Sequence, residues 1–222
     1  MCAILGFTSP SLKKEQVLPY FEKTKSRGPD DTRLEPAGSG MLGFHRLAIM
    51  GLHPEGMQPF HRGGDMAVCN GELYGFRPVK KALEAKGYVF ASDSDCEIIL
   101  PLWQEYGTDM FAGLDAEFAM IIYDSASDSL VAARDPIGIR PLFYGYLADG
   151  SIIFASEAKN LVGLCAHVFP FPPGHYYKDG KFVRYADLTT VTRYSDDDLD
   201  TVTKKIREKL ISAVEKRLDA DA

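Results

Sequence analysis

The feature that most constrains this chain is a recurrence of short apolar runs, each cut off by turn residues. Residues 2–8, 40–44, 66–72, 118–124, 130–134, 142–146 and 152–155 are rich in Ile, Val, Phe and Tyr, which is the signature of strands. Asp124-Ser125-Ala126-Ser127-Asp128 and Ala148-Asp149-Gly150 read as hairpin loops, and residues 176–179 running into 180–185 read as a third hairpin. Helices come in separate blocks. Residues 76–86 predict a helix stopped by Gly87. Ser94 and Glu97 form a capping-box pair that opens another, with Ile98, Ile99, Leu102 and Trp103 on its apolar face and Gly107 as its stop. Hairpin-linked strands with segregated helices predict a largely antiparallel, layered α+β fold; a doubly wound parallel sheet needs a helix between successive strands.

The tail has a different period. Leu199, Val202, Ile206, Leu210, Ile211, Val214 and Leu218 recur at spacings of mostly three and four, so residues 195–222 predict an amphipathic helix. Ser195 with Asp198 gives it a capping-box start, and residues 188–194 read as a linker. Such a stripe needs a partner surface: the body of this chain, or a further domain that begins with this helix, of which the second is taken. The division is then 1–187 for the body and 188–222 for the linker and lead-in helix. With the stripe uncovered, the chain is expected to self-associate.

Composition narrows the function classes. With 45% hydrophobic and 25% charged residues among 222, the chain is globular. A net charge of -6 argues against nucleic acid or anionic lipid as partner. No apolar run is long enough to span a membrane. The start, Met1-Cys2-Ala3-Ile4-Leu5-Gly6-Phe7, lacks the basic end and long apolar core of a secretion signal, so a cytoplasmic location is expected. Cysteines at 2, 69, 96 and 165, and histidines at 45, 53, 61, 167 and 175, show no metal-ligand spacing. Neither a disulfide framework nor a metal site is expected.

Cys2 directly follows the initiator Met. Removal of Met1 would give it a free α-amine next to its own thiol, an amine whose ordinary pKa near 8 leaves a fair share neutral. That amine can take the thiol proton and later hand it to a leaving group. Alternatively, Cys2 is a small buried hydrophobe on a strand.

The order of segments decides between these. Met1-Cys2-Ala3-Ile4-Leu5-Gly6, Arg27-Gly28-Pro29-Asp30-Asp31, the block 42–50 followed by Gln58-Pro59, Asn70-Gly71-Glu72-Leu73-Tyr74, Ser94-Asp95-Cys96-Glu97, the block 133–142, Ala155-Ser156-Glu157-Ala158-Lys159 and Pro172-Pro173-Gly174-His175 follow one another. In that order they resemble the glutaminase domain of the class II glutamine amidotransferases, which are N-terminal-nucleophile (Ntn) hydrolases. The particular match, over essentially 1–218, is to glutamine-dependent asparagine synthetase. The resemblance implies a four-layer αββα sandwich of antiparallel sheets followed by a C-terminal amphipathic linker helix.

It also implies roles. Cys2 would be the nucleophile towards the side-chain amide of glutamine. Asn70 and Gly71 would supply the oxyanion donors, although Asn-Gly taken alone is the strongest signal for a tight hairpin turn. Arg46 would grip the substrate α-carboxylate with its fork and Asp95 the α-ammonium; taken alone they read as a surface ion pair and a helix-start charge. Glu72 would contact the substrate amide, and Leu47, Ile49 and Met50 would line the pocket. Arg27 and an Arg134–Asp135 pair would brace loops, and Glu157 and Lys159 would face a further domain. The sequence departs from the family pattern at Ala3 for a Gly, Phe44 for a His, Gly51 for an Asp and Gly75 for an Asn. These bear on substrate affinity more than on chemistry.

No Ser-Gly-Gly-Leu-Asp-Ser pyrophosphate loop occurs in the chain. This domain is therefore expected to need no cofactor. ATP and Mg would belong to a C-terminal synthetase domain, the expected partner, where ammonia would convert aspartate to asparagine. A homodimer is a further expectation. Two alternatives stand beside this one: a glutaminase serving another acceptor, as in glucosamine-phosphate synthase or phosphoribosyl-pyrophosphate amidotransferase, and a non-catalytic Ntn-fold binding or regulatory module.

Overall fold

The computed structural model describes residues 1–221. Its body is two stacked six-stranded sheets in which every strand pair is antiparallel. The strands are β1 (Ala3–Thr8), β2 (Asp31–Ala37), β3 (Gly40–Arg46), β4 (Phe60–Arg62), β5 (Asp65–Leu73), β6 (Ala116–Asp124), β7 (Ser129–Arg134), β8 (Phe143–Tyr146), β9 (Ile152–Ala155), β10 (Val168–Pro170), β11 (His175–Lys178) and β12 (Lys181–Arg184). The first sheet runs β10-β8-β9-β1-β3-β2 and the second β12-β11-β7-β6-β5-β4. The helices are α1 (Lys14–Phe21), α2 (Phe76–Ala85), α3 (Ile99–Tyr106), α4 (Met110–Gly113) and α5 (Leu199–Lys216).

Both faces of the central strands are covered, which is why they read as continuous apolar runs. In β6, Ala119, Ile121 and Tyr123 join the core between the sheets, with Ile4, Leu42, Phe44, Val68 and Phe154. The alternate residues Phe118, Met120 and Ile122 pack outward against Phe76, Leu83, Ile99, Leu102 and Phe111 of α2 to α4. On the far side, Leu5, Phe7 and Met41 meet Val17 and Phe21 of α1. The order helix, sheet, sheet, helix is the αββα sandwich that the resemblance implies, and it bears out the antiparallel, layered α+β fold read from the strand pattern. Gly6 faces the second sheet, where an added Cβ would lie 3.0 Å from Ile121 of β6.

Several local readings are corrected. Ser94 makes no capping bond. The Glu97 carboxylate instead accepts from the amides of Ala91 and Ser92 (2.7 and 2.8 Å), so it ties down the preceding loop, and a 3-10 turn over Asp95–Ile98 precedes α3. Ser195 does not open the terminal helix. Asp198 does, accepting from the Thr201 amide. The pairing of Arg134 with Asp135 is also absent. Arg134 donates to the carbonyls of Gly138, Arg140 and Phe171, while the Asp135 carboxylate collects the amides of Phe118, Ile137, Gly138, Ile139 and Arg140. Both brace the same loop, through backbone rather than through each other. Unheralded in the sequence are β2, β4, β10, α1 and α4.

Residues 186–198 form no helix or strand, and α5 follows with Leu199, Ile206, Leu210 and Val214 exposed. Its far end returns to the body. Lys216 pairs with Asp115, Arg217 lies 4.6 Å over the Tyr74 ring, and Asp219 pairs with Arg77. Of the helix predicted over 195–222, Ala222 lies outside the described residues.

Candidate active site

The site forms where β5 loses its outer neighbour. β4 pairs only with residues 65–67 of β5, so residues 68–73 present a bare edge on that side. Backbone groups in a strand alternate in direction. Cys69 turns its amide and carbonyl outward, and the Gln58 side chain takes both, at 2.6 and 3.2 Å. Leu73 turns its amide outward to the Asp95 carboxylate at 2.7 Å. Gly71 lies midway between them, so its amide points the same way, onto a cavity that it lines. A side chain has no room there, because an added Cβ would sit 2.5 Å from the Glu117 carbonyl oxygen. Asn70 and Gly71 are thus mid-strand residues, facing Ala119 and Phe118 across the ladder, and not a hairpin turn.

The Asn70 side chain shares the inter-sheet face with Val68, and Cys2 packs against that same core. Asn70 is buried, and its Nδ2 has no hydrogen-bond partner. A buried amide donor left open costs free energy, so its retention points to a ligand. Cys2 precedes β1, and its Sγ lies 3.3 Å from the donating Leu47 amide and 3.4 Å from the Leu47 carbonyl. Burial pushes the thiol up, against the pull of the Leu47 bond. Arg27 donates to the Cys2 carbonyl at 3.0 Å and pairs with Glu157 at 2.8 Å. The Met1 amine is held below its ordinary value, chiefly by burial, with Arg27 and Arg140 contributing.

Eight of the nine residues singled out from the sequence line this one cavity: Cys2, Arg46, Leu47, Ile49, Met50, Gly71, Glu72 and Asp95. Asn70, the ninth, sits behind it. Glu72 is pushed up to about 7 by burial, with the neighbouring Asp95 adding to the effect, and burial raises Asp95 likewise. The Arg46 fork is already engaged, donating to the carbonyls of Gly51 and His53 and so shaping the 47–53 loop. Gly51 adopts φ +57°, and a Cβ there would lie 2.7 Å from the Ser94 nitrogen, which accounts for a glycine at this position. Phe44 enters the inter-sheet core. His45 stacks on Phe21 at 3.8 Å and bonds Thr32 at 2.8 Å, so neither reaches the cavity as a polar group. Gln58, next to the cis Pro59, was missed as a functional residue; the Gln-Pro pair is its only signal.

The cavity is small, about 30 Å³, the scale of a single water. Asp221 tethers the adjoining 47–53 loop, accepting from the Gly51 amide at 2.8 Å and donating its own amide to the Ile49 carbonyl at 3.1 Å. A thiol beside an open side-chain amide and an open backbone N–H supplies the parts that nucleophilic addition to a carbonyl requires. Among the described residues, no His, Cys, Asp and Glu cluster suits a metal ion, and no helix is long and apolar enough to cross a membrane.

Comparison with known proteins identifies the family. A family model described as a glutamine amidotransferase domain matches residues 1–176. A probable glutamine-hydrolysing asparagine synthetase from Dictyostelium discoideum is 35% identical, over 100% of this chain and 42% of that protein. The glutamine-hydrolysing asparagine synthetase of Sandersonia aurantiaca is 39% identical, over 82% of this chain and 35% of that protein. The chain therefore spans less than half the length of these relatives. Among solved structures, an allosteric regulatory enzyme of purine biosynthesis superposes with a TM-score of 0.68 at 21% identity, covering 86% of this chain and 50% of that one. The glutamine phosphoribosylpyrophosphate amidotransferase of B. subtilis gives 0.66 at 19% identity, covering 83% and 49%. These two likenesses bear on the fold alone.

Proposed function

The chain belongs to the glutamine amidotransferase domain family, and on that premise we propose that it hydrolyses the side-chain amide of glutamine, with Cys2 as nucleophile once Met1 is removed. The observation that carries this reading is the open Asn70 Nδ2 and the outward-facing Gly71 amide beside the Cys2 thiol. The freed amine takes the thiol proton, and sulfur adds to the amide carbon. Asn70 and Gly71 then hold the developing oxyanion, a contribution of about 10²–10³ in rate for each donor. The amine returns the proton to departing ammonia, and water resolves the glutamyl thioester. Asp95 and Arg46 hold the two ends of the amino acid, and Glu72 stands at its amide.

Glutamine does not fit a cavity of about 30 Å³. The reading therefore requires the 47–53 loop to swing outward, releasing Arg46 from the Gly51 and His53 carbonyls for the substrate carboxylate. In a longer protein of the kind its relatives represent, the ammonia would serve ATP-dependent conversion of aspartate to asparagine, with ATP and Mg held by the synthetase part.

The test is glutamate release from glutamine by wild-type chain and Cys2→Ala, with intact mass to establish whether Met1 is gone. Equal rates would end the proposal. The Cys2 thiol is half-buried, and the Met1 side chain touches Arg140. These contacts favour the second reading, a non-catalytic binding module, if the mass shows that Met1 is retained.

A further inference from the structure

The loop that carries Leu47, Ile49 and Met50 is held from outside by the chain's own tail. Asp221 donates its amide to the Ile49 carbonyl at 3.1 Å, and its carboxylate accepts from the Gly51 amide at 2.8 Å. These two bonds grip the loop on either side of Met50, a buried residue of the cavity wall. Gly51 is thereby held at both polar groups, its amide by Asp221 and its carbonyl by Arg46. The tail is in turn moored to the body. Lys216 pairs with Asp115, Arg217 lies over the Tyr74 ring, and Asp219 pairs with Arg77 at 2.9 Å. Lys216 and Asp219 also share a cavity of about 10 Å³ with Met50, Glu72 and Asp95, which places the tail against the wall of the site. The two mooring pairs are about half exposed, so each is weak by itself. Together they keep Asp221 beside its partners, and its bonds to the loop form as intramolecular ones.

We propose that residues 216–221 are a strap that keeps the 47–53 loop shut over Cys2, and that release of the strap sets access to the site. The remaining bonds of the loop lie on its inner side. The Leu47 amide donates to the Cys2 sulfur, and the Ala48 amide to the Asp30 carboxylate at 2.8 Å. An entering amino acid offsets part of what opening breaks, because its carboxylate can take the Arg46 fork in place of the Gly51 and His53 carbonyls. It offers nothing in place of the two bonds to Asp221. Those bonds therefore weigh against opening without compensation, and a ligand shifts such an equilibrium only by its differential affinity for the two states. A site that is open for only a fraction of the time binds its ligand more weakly by that fraction. Loosening the strap thus raises access and leaves the chemical groups as they are.

The hold of the strap on the loop is independent of catalysis, whereas its effect on turnover rests on the proposed glutaminase reading. Residue-resolved amide hydrogen exchange, and the rate at which iodoacetamide alkylates Cys2, read the loop without turnover. The full chain is compared as wild type, Asp221→Ala, Arg77→Asp, and Arg77→Asp combined with Asp219→Arg. In Asp221→Ala the Leu47 and Ala48 amides keep their own partners. Their exchange and the alkylation of Cys2 are nevertheless expected to rise about three- to tenfold, the scale of one net hydrogen bond. Arg77→Asp is expected to move both in the same direction, and the charge-swapped pair to bring them back. Unchanged exchange and alkylation in Asp221→Ala would overturn the strap, and so would a rise in Arg77→Asp that the swap leaves in place. The KM for glutamine is expected to fall by the factor by which exchange rises, with kcat kept. An unchanged KM beside faster exchange would overturn the control of access. Glutamate release absent from wild type and Asp221→Ala alike would refute the glutaminase reading instead, and exchange would still decide the strap.

Discussion

Glu72 is a carboxyl that the folded chain prefers to keep protonated, and that preference has a measurable cost. Its value in the fold is about 7 against an ordinary 4.5, mainly because burial disfavours the charge. Between those two values the folded state holds a proton that the unfolded chain has released. Folding is therefore weakened as pH rises from 4.5 to 7, and the full penalty stands above 7. At about 1.36 kcal/mol per pH unit the ceiling is about 3.4 kcal/mol. Glu72 keeps part of its surface in water, so screening reduces this to about 1–2 kcal/mol. Glu72→Gln keeps the shape and removes the titration. Urea unfolding of wild type and variant at pH 5 and pH 8 reads the difference directly. Asp95 titrates in both chains and largely cancels. The variant is expected to gain about 1–2 kcal/mol on wild type between the two pH values. Parallel pH dependences would show that Glu72 is ionised and solvated in the fold, and the electrostatic account of the cavity would fail with it.

Asn70→Leu removes a buried donor that has no partner; thermal melting is expected to hold or rise while glutamate release falls about 10²–10³-fold. Gly71→Ala places a Cβ 2.5 Å from the Glu117 oxygen and 2.8 Å from the Phe118 Cβ, so denaturant unfolding is expected to show a loss of about 1–3 kcal/mol. The stripe of α5 exposes Ile206 at 61% and Leu210 at 64%; sedimentation is expected to show concentration-dependent association that Ile206→Lys with Leu210→Lys abolishes, and a monomer at all concentrations in the wild type would contradict it.

How much of this could be read from residues alone follows from where each signal lives. The central strands were legible because sheets covered on both faces leave uninterrupted Ile, Val and Phe. β2 was not: as an edge strand it buries only Leu34 and Ala37, and it carries Pro36, which an edge tolerates. α1 hid for a related reason, with only Val17 and Phe21 buried and Pro19 inside. The Ser94…Glu97 pair was a genuine local motif that lost to another local one, since the Ala91 and Ser92 amides of the preceding loop claim the Glu97 carboxylate.

The residues that line the cavity were legible as an ordered set of motifs, but their mechanism of assembly was not, because it depends on register between distant strands. A bare strand edge is normally a liability, a row of unpaired amides inviting another chain. Here β4 stops opposite Ala67, and two side chains from elsewhere occupy alternate positions on the exposed edge, Gln58 at Cys69 and Asp95 at Leu73. The one outward amide left between them belongs to Gly71, the residue with no side chain to obstruct an approaching oxygen. Nothing in the local Asn-Gly sequence distinguishes this from a hairpin turn. What distinguishes it is the length of a neighbouring strand, a property of the whole sheet that no window around residue 70 contains.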